Sequence, residues 1–373
     1  MPFTQLTSVK HRVVIGSPLP FNVRNADHTL LLARGHVILH AAQLQALFER
    51  GALVDLDELK TPLDRVREAT AQQLPALWEH CMGRVGETLQ HCSHAGFGAA
   101  LDEVSQPVLG LVERDPDLAI FQVLRQDANA HTAYGLNHSV HTAITAFLVA
   151  QRLGWDSHSV QTVFKAALTM NVSMLELQGT LAMQNEPVSA EQRSAIHSHP
   201  LRSVEMLELA GITDPFWLQA VLQHHEADDG SGYPCGAKES SDFAALLRRA
   251  DVYTTKLSPR RTRTALAADR AGRTMFMSDP DNSMTLALVK EFGVYPPGCF
   301  VRLVSGETAV VLKRGRTVTT PRVAVLTTAN GAALTQPLTR DTALRENAIA
   351  SIVGEHTVKA KPTPATLAML AGA

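Results

Sequence analysis

The residues with the most chemistry in this chain stand in one run: His224-His225-Glu226-Ala227-Asp228-Asp229-Gly230-Ser231-Gly232-Tyr233-Pro234. Neutral imidazole offers a lone pair to a metal at accessible pH. Carboxylates add charge and can bridge two ions, and bound ions acidify the water between them. Two adjacent histidines with Glu226 and Asp229 close behind therefore suit a metal-dependent hydrolytic centre. In the turn that follows, Gly230 and Gly232 relax the backbone limits and Pro234 stiffens the exit. Tyr233 brings an aromatic face and a hydroxyl, suited to a base or a protein partner. The plainer alternative is an interhelical turn with Tyr233 as its anchor.

This run resembles the signature of the HD-GYP family, a branch of the HD-domain metal-dependent phosphohydrolases. Further matches lie at Asn137-His138-Ser139, at His199-Pro200, at Asp251 within Arg249-Ala250-Asp251-Val252-Tyr253, and at Ser258-Pro259-Arg260. The resemblance continues into Glu291-Phe292-Gly293-Val294-Tyr295-Pro296-Pro297-Gly298 and spans about residues 112 to 326. It implies that His138, His199, His224, His225 and Asp251 are metal ligands. It also implies that Glu226, Asp229, Gly230, Gly232, Tyr233, Pro234 and Arg260 serve ligand or partner binding. Singly, each has a simpler reading: His138 as a helix cap, His199 as a helix-entry residue, Asp251 as half of an ion pair. Their order and spacing favour a common site. His197, two residues before His199, is read as solvent-facing and outside it.

The departures from the family are concentrated in Ala166-Ala167-Leu168-Thr169-Met170-Asn171-Val172-Ser173-Met174. The family's His-Asp dyad falls at Met170-Asn171, and its lysine at Met174. A thioether is a poor partner for hard or borderline cations, and an uncharged amide cannot bridge two of them. Met170 and Met174 read more simply as core residues one turn apart on a helix. Tyr134 stands where some family members carry a glutamate ligand. The remaining histidines suit one divalent metal (Fe, Mn or Zn) rather than two.

These groups must be positioned by helices. The chain has 373 residues, 45% of them hydrophobic, enough for a large core and smaller domains. Helical patterns run over 136–153, 157–174, 190–209, 215–226, 241–257 and 284–292, with no alternating strands. The expected fold is mainly α: a β-rich leader over 1–56, a helical connector over 57–95, a helical HD-type domain over 98–292, a small β element over 293–355 and a mobile tail over 356–373. Within the β element, 300–303 and 308–312 read as a hairpin and 321–327 as a third strand. The connector is expected to break near Pro75 and could support a homodimer.

Net charge is −2 with no basic stripe, which argues against a nucleic-acid polymer as partner. Arg248, Arg249, Lys256, Arg260, Arg261 and Arg263 nevertheless form a local basic group able to meet phosphates; a solvated helix end is the alternative. Four scattered cysteines give no disulfide framework, and no apolar run is long enough for a membrane span or a signal peptide. A cytoplasmic protein without membrane contact is expected. The resemblance implies cyclic-di-GMP signalling. The leading expectation is an impaired member that binds cyclic-di-GMP, a related dinucleotide or a diguanylate cyclase domain. The alternatives are a phosphodiesterase with a reduced metal site and a pure scaffold.

Overall fold

Short apolar runs broken by turn residues make the N-terminal segment a small sheet. The structure, a computed structural model, describes residues 2–124, 134–354, 357–358 and 362–372. The chain forms two units, Met1–Glu68 and Ala69–Ala373, a division that falls inside the stretch 57–95.

In the first unit, β1 (Phe3–Gln5), β2 (Val23–Arg24), β3 (Leu30–Leu32) and β4 (Leu53–Asp55) form an antiparallel sheet of order β1-β4-β2-β3. Helix α1 (Ala41–Glu49) precedes β4; α2 (Leu56–Leu59) and α3 (Pro62–Glu68) follow it. Leu6, Phe21, Val23, Ile38 and Val54 make its core. Within the leader expected to be β-rich, the apolar run Val13-Val14-Ile15 forms no strand; Leu6–Arg12 ahead of it is a 3-10 turn.

The second unit holds helices α4 (Leu74–Gln90), α5 (Phe97–Arg114), α6 (Pro116–Leu124), α7 (Tyr134–Arg152), α8 (Ser157–Thr169), α9 (Leu175–Met183), α10 (Ala190–Leu209), α11 (Pro215–Gln223), α12 (Asp242–Leu257), α13 (Ala268–Ser278) and α14 (Ser283–Phe292). The mainly helical expectation holds. Pro75 sits in the first turn of α4, where its missing N–H costs nothing. The break therefore falls before Pro75, at a Thr70–Gln73 capping box. Helix α7 is buried along nearly its whole length. Thr142 Oγ1 meets Thr254 Oγ1 of α12 at 2.9 Å, and Trp217 Nε1 of α11 donates to Thr169 Oγ1 at the end of α8 (2.8 Å). These buried polar ties fix the register of the helices that carry the histidines.

Strands β5 (Phe300–Leu303), β6 (Thr308–Lys313), β7 (Arg322–Thr327), β8 (Ala333–Asp341) and β9 (Ile349–Val353) form an antiparallel sheet of order β8-β7-β6-β5-β9. The expected hairpin and third strand are its buried centre. Both edges went unread, because β8 and β9 are largely exposed and β8 contains Pro337, a residue confined to sheet edges. Arg314, just after β6, pairs with Asp117 of α6 and Glu291 of α14, and Glu291 also pairs with Arg152. The tail, read as mobile, carries α15 (Pro364–Gly372), whose Leu367 is buried and which packs near α4 and β6. Its Leu-Ala-Met-Leu run is apolar enough to dock; Lys359 and Lys361 lie outside the described residues. Among the described residues no helix is long and apolar enough to cross a membrane.

Candidate metal centre

Three histidines converge from the middle of α10 and the C-terminal end of α11. His199 lies inside α10, while α11 stops at Gln223, three residues short of the expected 226, so His224 and His225 leave the helix. One ring nitrogen from each of His199, His224 and His225 falls within 4.8 Å of the other two.

Local backbone chemistry sets the tautomers. Pro200 has no N–H to give the carbonyl of Ile196, four residues back in α10. His199 Nδ1 takes that carbonyl instead, at 2.6 Å. His224 Nδ1 meets the carbonyl of Val221 at 2.6 Å. A carbonyl can only accept, so both rings carry the proton on Nδ1 and keep a lone pair on Nε2. The two Nε2 atoms face each other at 3.2 Å. Two imidazoles sharing one tetrahedral ion at about 2.0–2.1 Å would place their nitrogens roughly 3.3–3.4 Å apart. Burial holds His199 down to about 3, and the neighbouring His224 adds to this. Burial also lowers His224, and burial with His224 lowers His225 well below the ordinary value. Neutral imidazoles converging on one point, two buried with free Nε2 lone pairs and the half-buried His225 beside them, fit a single divalent cation.

The other half of the cluster is arranged differently. His138 Nε2 and Asp251 Oδ1 meet at 2.7 Å, both buried. Burial pushes the Asp251 carboxyl up, but the His138 hydrogen bond and charge, with His225 and His224, hold it well below the usual range. The ring of Tyr134 stacks on His138 at 6.2 Å, and its hydroxyl accepts from Arg260 Nε at 3.1 Å. Helix α8 ends at Thr169, five residues before the expected 174, and a short 3-10 turn (Val172–Met174) follows. Met170 and Met174 are buried, the core role their type suggested, and Asn171 is 3% exposed. No carboxylate stands at 170–171 to join the two halves. Ser173 Oγ donates to the carbonyl of His199 at 3.0 Å and meets Ser203 Oγ at 2.9 Å, bracing α10 instead.

The loop after His225 folds back over it. Gly230 takes a left-handed backbone, φ +78. Gly232 does not; space is what demands glycine there. A Cβ on Gly232 would lie 2.4 Å from the carbonyl oxygen of His225 and from the amide of Ala227. Tyr233 N donates to the same His225 carbonyl at 3.2 Å, and the Tyr233–Pro234 bond is cis. Glu226, expected to bind a ligand, is buried and turned to the loop's own backbone: its oxygens accept from Cys235 N (2.7 Å) and Ala237 N (2.8 Å). Asp229 accepts from Ser231 N and Oγ, at 2.9 and 2.6 Å. Both carboxylates hold the loop in shape. Tyr233 packs against His225 at 4.5 Å and against His197 at 4.6 Å. His197 is exposed as expected, yet it belongs to the site, because the loop reaches over to it.

The basic group does not act as one cluster. Arg249 is bound to Asp279 and Thr285, inside the fold. Arg263 donates to the carbonyl of Thr255, and Arg260 rests over Tyr134 with 5.7 Å from its guanidinium carbon to the ring centre.

Residues 122–276 match the HD domain family. The cyclic di-GMP phosphodiesterase PA4108 of Pseudomonas aeruginosa is 29% identical over 230 residues, 60% of this chain and 54% of that protein. The cyclic di-GMP phosphodiesterase response regulator RpfG of Xanthomonas campestris is 29% identical over 132 residues, 34% of either chain. The chain thus spans about half the length of PA4108 and a third of RpfG. Among solved structures, Bd1817, an HDG"Y"P protein from Bdellovibrio bacteriovorus, aligns with a TM-score of 0.50 at 15% identity, over 77% of this chain and 97% of that one. At that identity the likeness is one of fold.

Proposed function

Since this chain belongs to the HD-GYP family, we propose that it acts in cyclic-di-GMP signalling, binding the dinucleotide at a one-metal, three-histidine centre without efficient turnover. The names of the relatives supply the ligand. The observation that carries the reading is the split cluster. His199, His224 and His225 share a focus, whereas His138 Nε2 and Asp251 pair with each other, and the buried positions 170 and 171 hold Met and Asn rather than a ligand and a bridging carboxylate. HD-domain phosphohydrolases use divalent metal, and a bound ion here would neutralise phosphate charge and acidify a water. In this proposal, His199, His224 and His225 hold the ion, and Asp251 with His138 forms a fixed hydrogen-bonded pair beside it. Asn171 can hydrogen-bond a phosphate or ribose but cannot bridge a second cation. Fe, Mn and Zn all suit the donor set. Arg260 and the hydroxyl of the loop's Tyr233, whose ring packs between His225 and His197, are among the groups available to the dinucleotide. A diguanylate cyclase domain remains the candidate protein partner, through the same loop.

A second reading, a slow phosphodiesterase with one metal, keeps the support of the converging imidazoles. Equilibrium dialysis with Mn(II) and cyclic-di-GMP tests the first. One metal per chain, dinucleotide bound, and both lost in His224→Ala is the expected result. Two metals per wild-type chain, or dinucleotide binding indifferent to His224→Ala, would refute it.

A further inference from the structure

The ring of Tyr233 is one layer of a longer column. His225 lies 4.1 Å from His224 and 4.5 Å from Tyr233, and Tyr233 lies 4.6 Å from His197, with interplanar angles of 42°, 29° and 31°. The column begins in the buried imidazole cluster and ends at His197, which is exposed. Among the described residues Tyr233 is the one ring packed against His197. A flat aromatic face is thus presented to solvent at the mouth of the site, on a rigid helix, and held there by a ring that Glu226 and Gly232 lock in place. One helical turn along α10, Leu201 is 48% exposed, and one turn back stands the exposed Arg193, one guanidinium nitrogen of which donates to the carbonyl of Val188 at 3.2 Å and leaves the others for an anion. A stacking face flanked by an apolar side chain and a guanidinium is the pattern with which proteins hold an unpaired base and its phosphate.

We propose that His197 is a nucleobase platform: one base of the ligand stacks on its outer face, while the phosphates point along the column toward the three-histidine centre. The identity of the dinucleotide rests on the proposed function; the platform itself rests on the ring column. His197 is separate from the metal-binding nitrogens, so it acts on the base and not on the ion.

The test compares wild type, His197→Ala and His197→Phe, each checked for unchanged melting temperature and metal content. Affinities are measured for cyclic-di-GMP, guanosine 5′-monophosphate and base-free ribose 5-phosphate. Loss of one base stack should weaken cyclic-di-GMP about tenfold in His197→Ala. His197→Phe should bind close to wild type, because it keeps a ring face. The monophosphate should bind better than ribose 5-phosphate in wild type and His197→Phe, and no better in His197→Ala. If cyclic-di-GMP does not bind wild type but that base-dependent difference holds, the proposed ligand falls and the platform stands. Unchanged affinities in His197→Ala would overturn the platform, as would a His197→Phe variant as weak as His197→Ala, or a wild type that does not distinguish base from no base.

Discussion

Replacing Pro200 by alanine separates the stability of α10 from the chemistry of His199. Proline inside a helix costs roughly 3 kcal/mol relative to alanine, so the substitution gains up to that amount. Two losses oppose it. Pro200 is buried, and removing about two methylenes costs roughly 0.8 kcal/mol each. The backbone N–H that alanine introduces also competes for the Ile196 carbonyl that His199 Nδ1 now holds at 2.6 Å, worth about 1 kcal/mol. The balance is near zero, so the apo protein should melt within a few degrees of wild type. Metal affinity should not be spared. With Nδ1 displaced, the ring can rotate or carry its proton on Nε2, the nitrogen that faces His224. Loss of such a supporting partner costs about 10–100-fold in metal affinity. Competition titration of Zn(II) against a chromophoric chelator reads this directly. A Pro200→Ala protein that melts normally and binds zinc as tightly as wild type would refute the claim that Pro200 sets the tautomer.

Further outcomes follow from the same structure. His138→Ala leaves the buried Asp251 carboxylate unpaired and should lower unfolding free energy by about 3–5 kcal/mol in urea, with Asp251→Asn costing less; equal small effects would mean the pair is dispensable. His199 and His141 are each held down to about 3, by burial first, then by His224 and His138 respectively, against an ordinary 6.5. Between those values the unfolded chain binds more protons, so their stabilisation is complete above about pH 6.5 and falls on acidification, by up to roughly 1.4 kcal/mol per histidine per pH unit. Urea midpoints of the metal-free protein that do not move between pH 7 and 5 would contradict this. Arg314→Ala strips Asp117 of its partner, leaves Glu291 with Arg152 alone, and should destabilise by about 3 kcal/mol, whereas Arg314→Met should recover part of it; thermal melts decide. Met170→His with Asn171→Asp should raise metal content from one to two ions per chain by elemental analysis, and an unchanged ratio would show that the missing dyad is not what limits the site.

Much of the site was legible in the sequence because its donors have unusual types in a tight run. His224, His225, Gly230 and Tyr233 declare themselves, and the absence of a carboxylate at Met170-Asn171 needs no structure to see. What was not legible depends on groups brought together across the fold. Glu226 looks like a ligand residue until its oxygens are found on Cys235 N and Ala237 N. His197 sits two positions from His199, a spacing that points it elsewhere on a helix, and only the fold-back of the loop gives it Tyr233. Arg249 joins a basic run by sequence but is bound by Asp279, thirty residues on. The helix that ends at Thr169 was read through to 174 because apolar periodicity continues across a 3-10 turn. The exposed edge strands β8 and β9 lack the apolar alternation that marks a buried strand.

The central claim, a site that binds cyclic-di-GMP without efficient turnover, is tested most directly by anaerobic incubation with Fe(II) or Mn(II) and chromatography of the nucleotides. The account predicts that the dinucleotide is recovered intact at protein concentrations comparable to substrate. Formation of pGpG or GMP over many turnovers, abolished in His224→Ala, would contradict it and assign the three-histidine centre a working catalytic role.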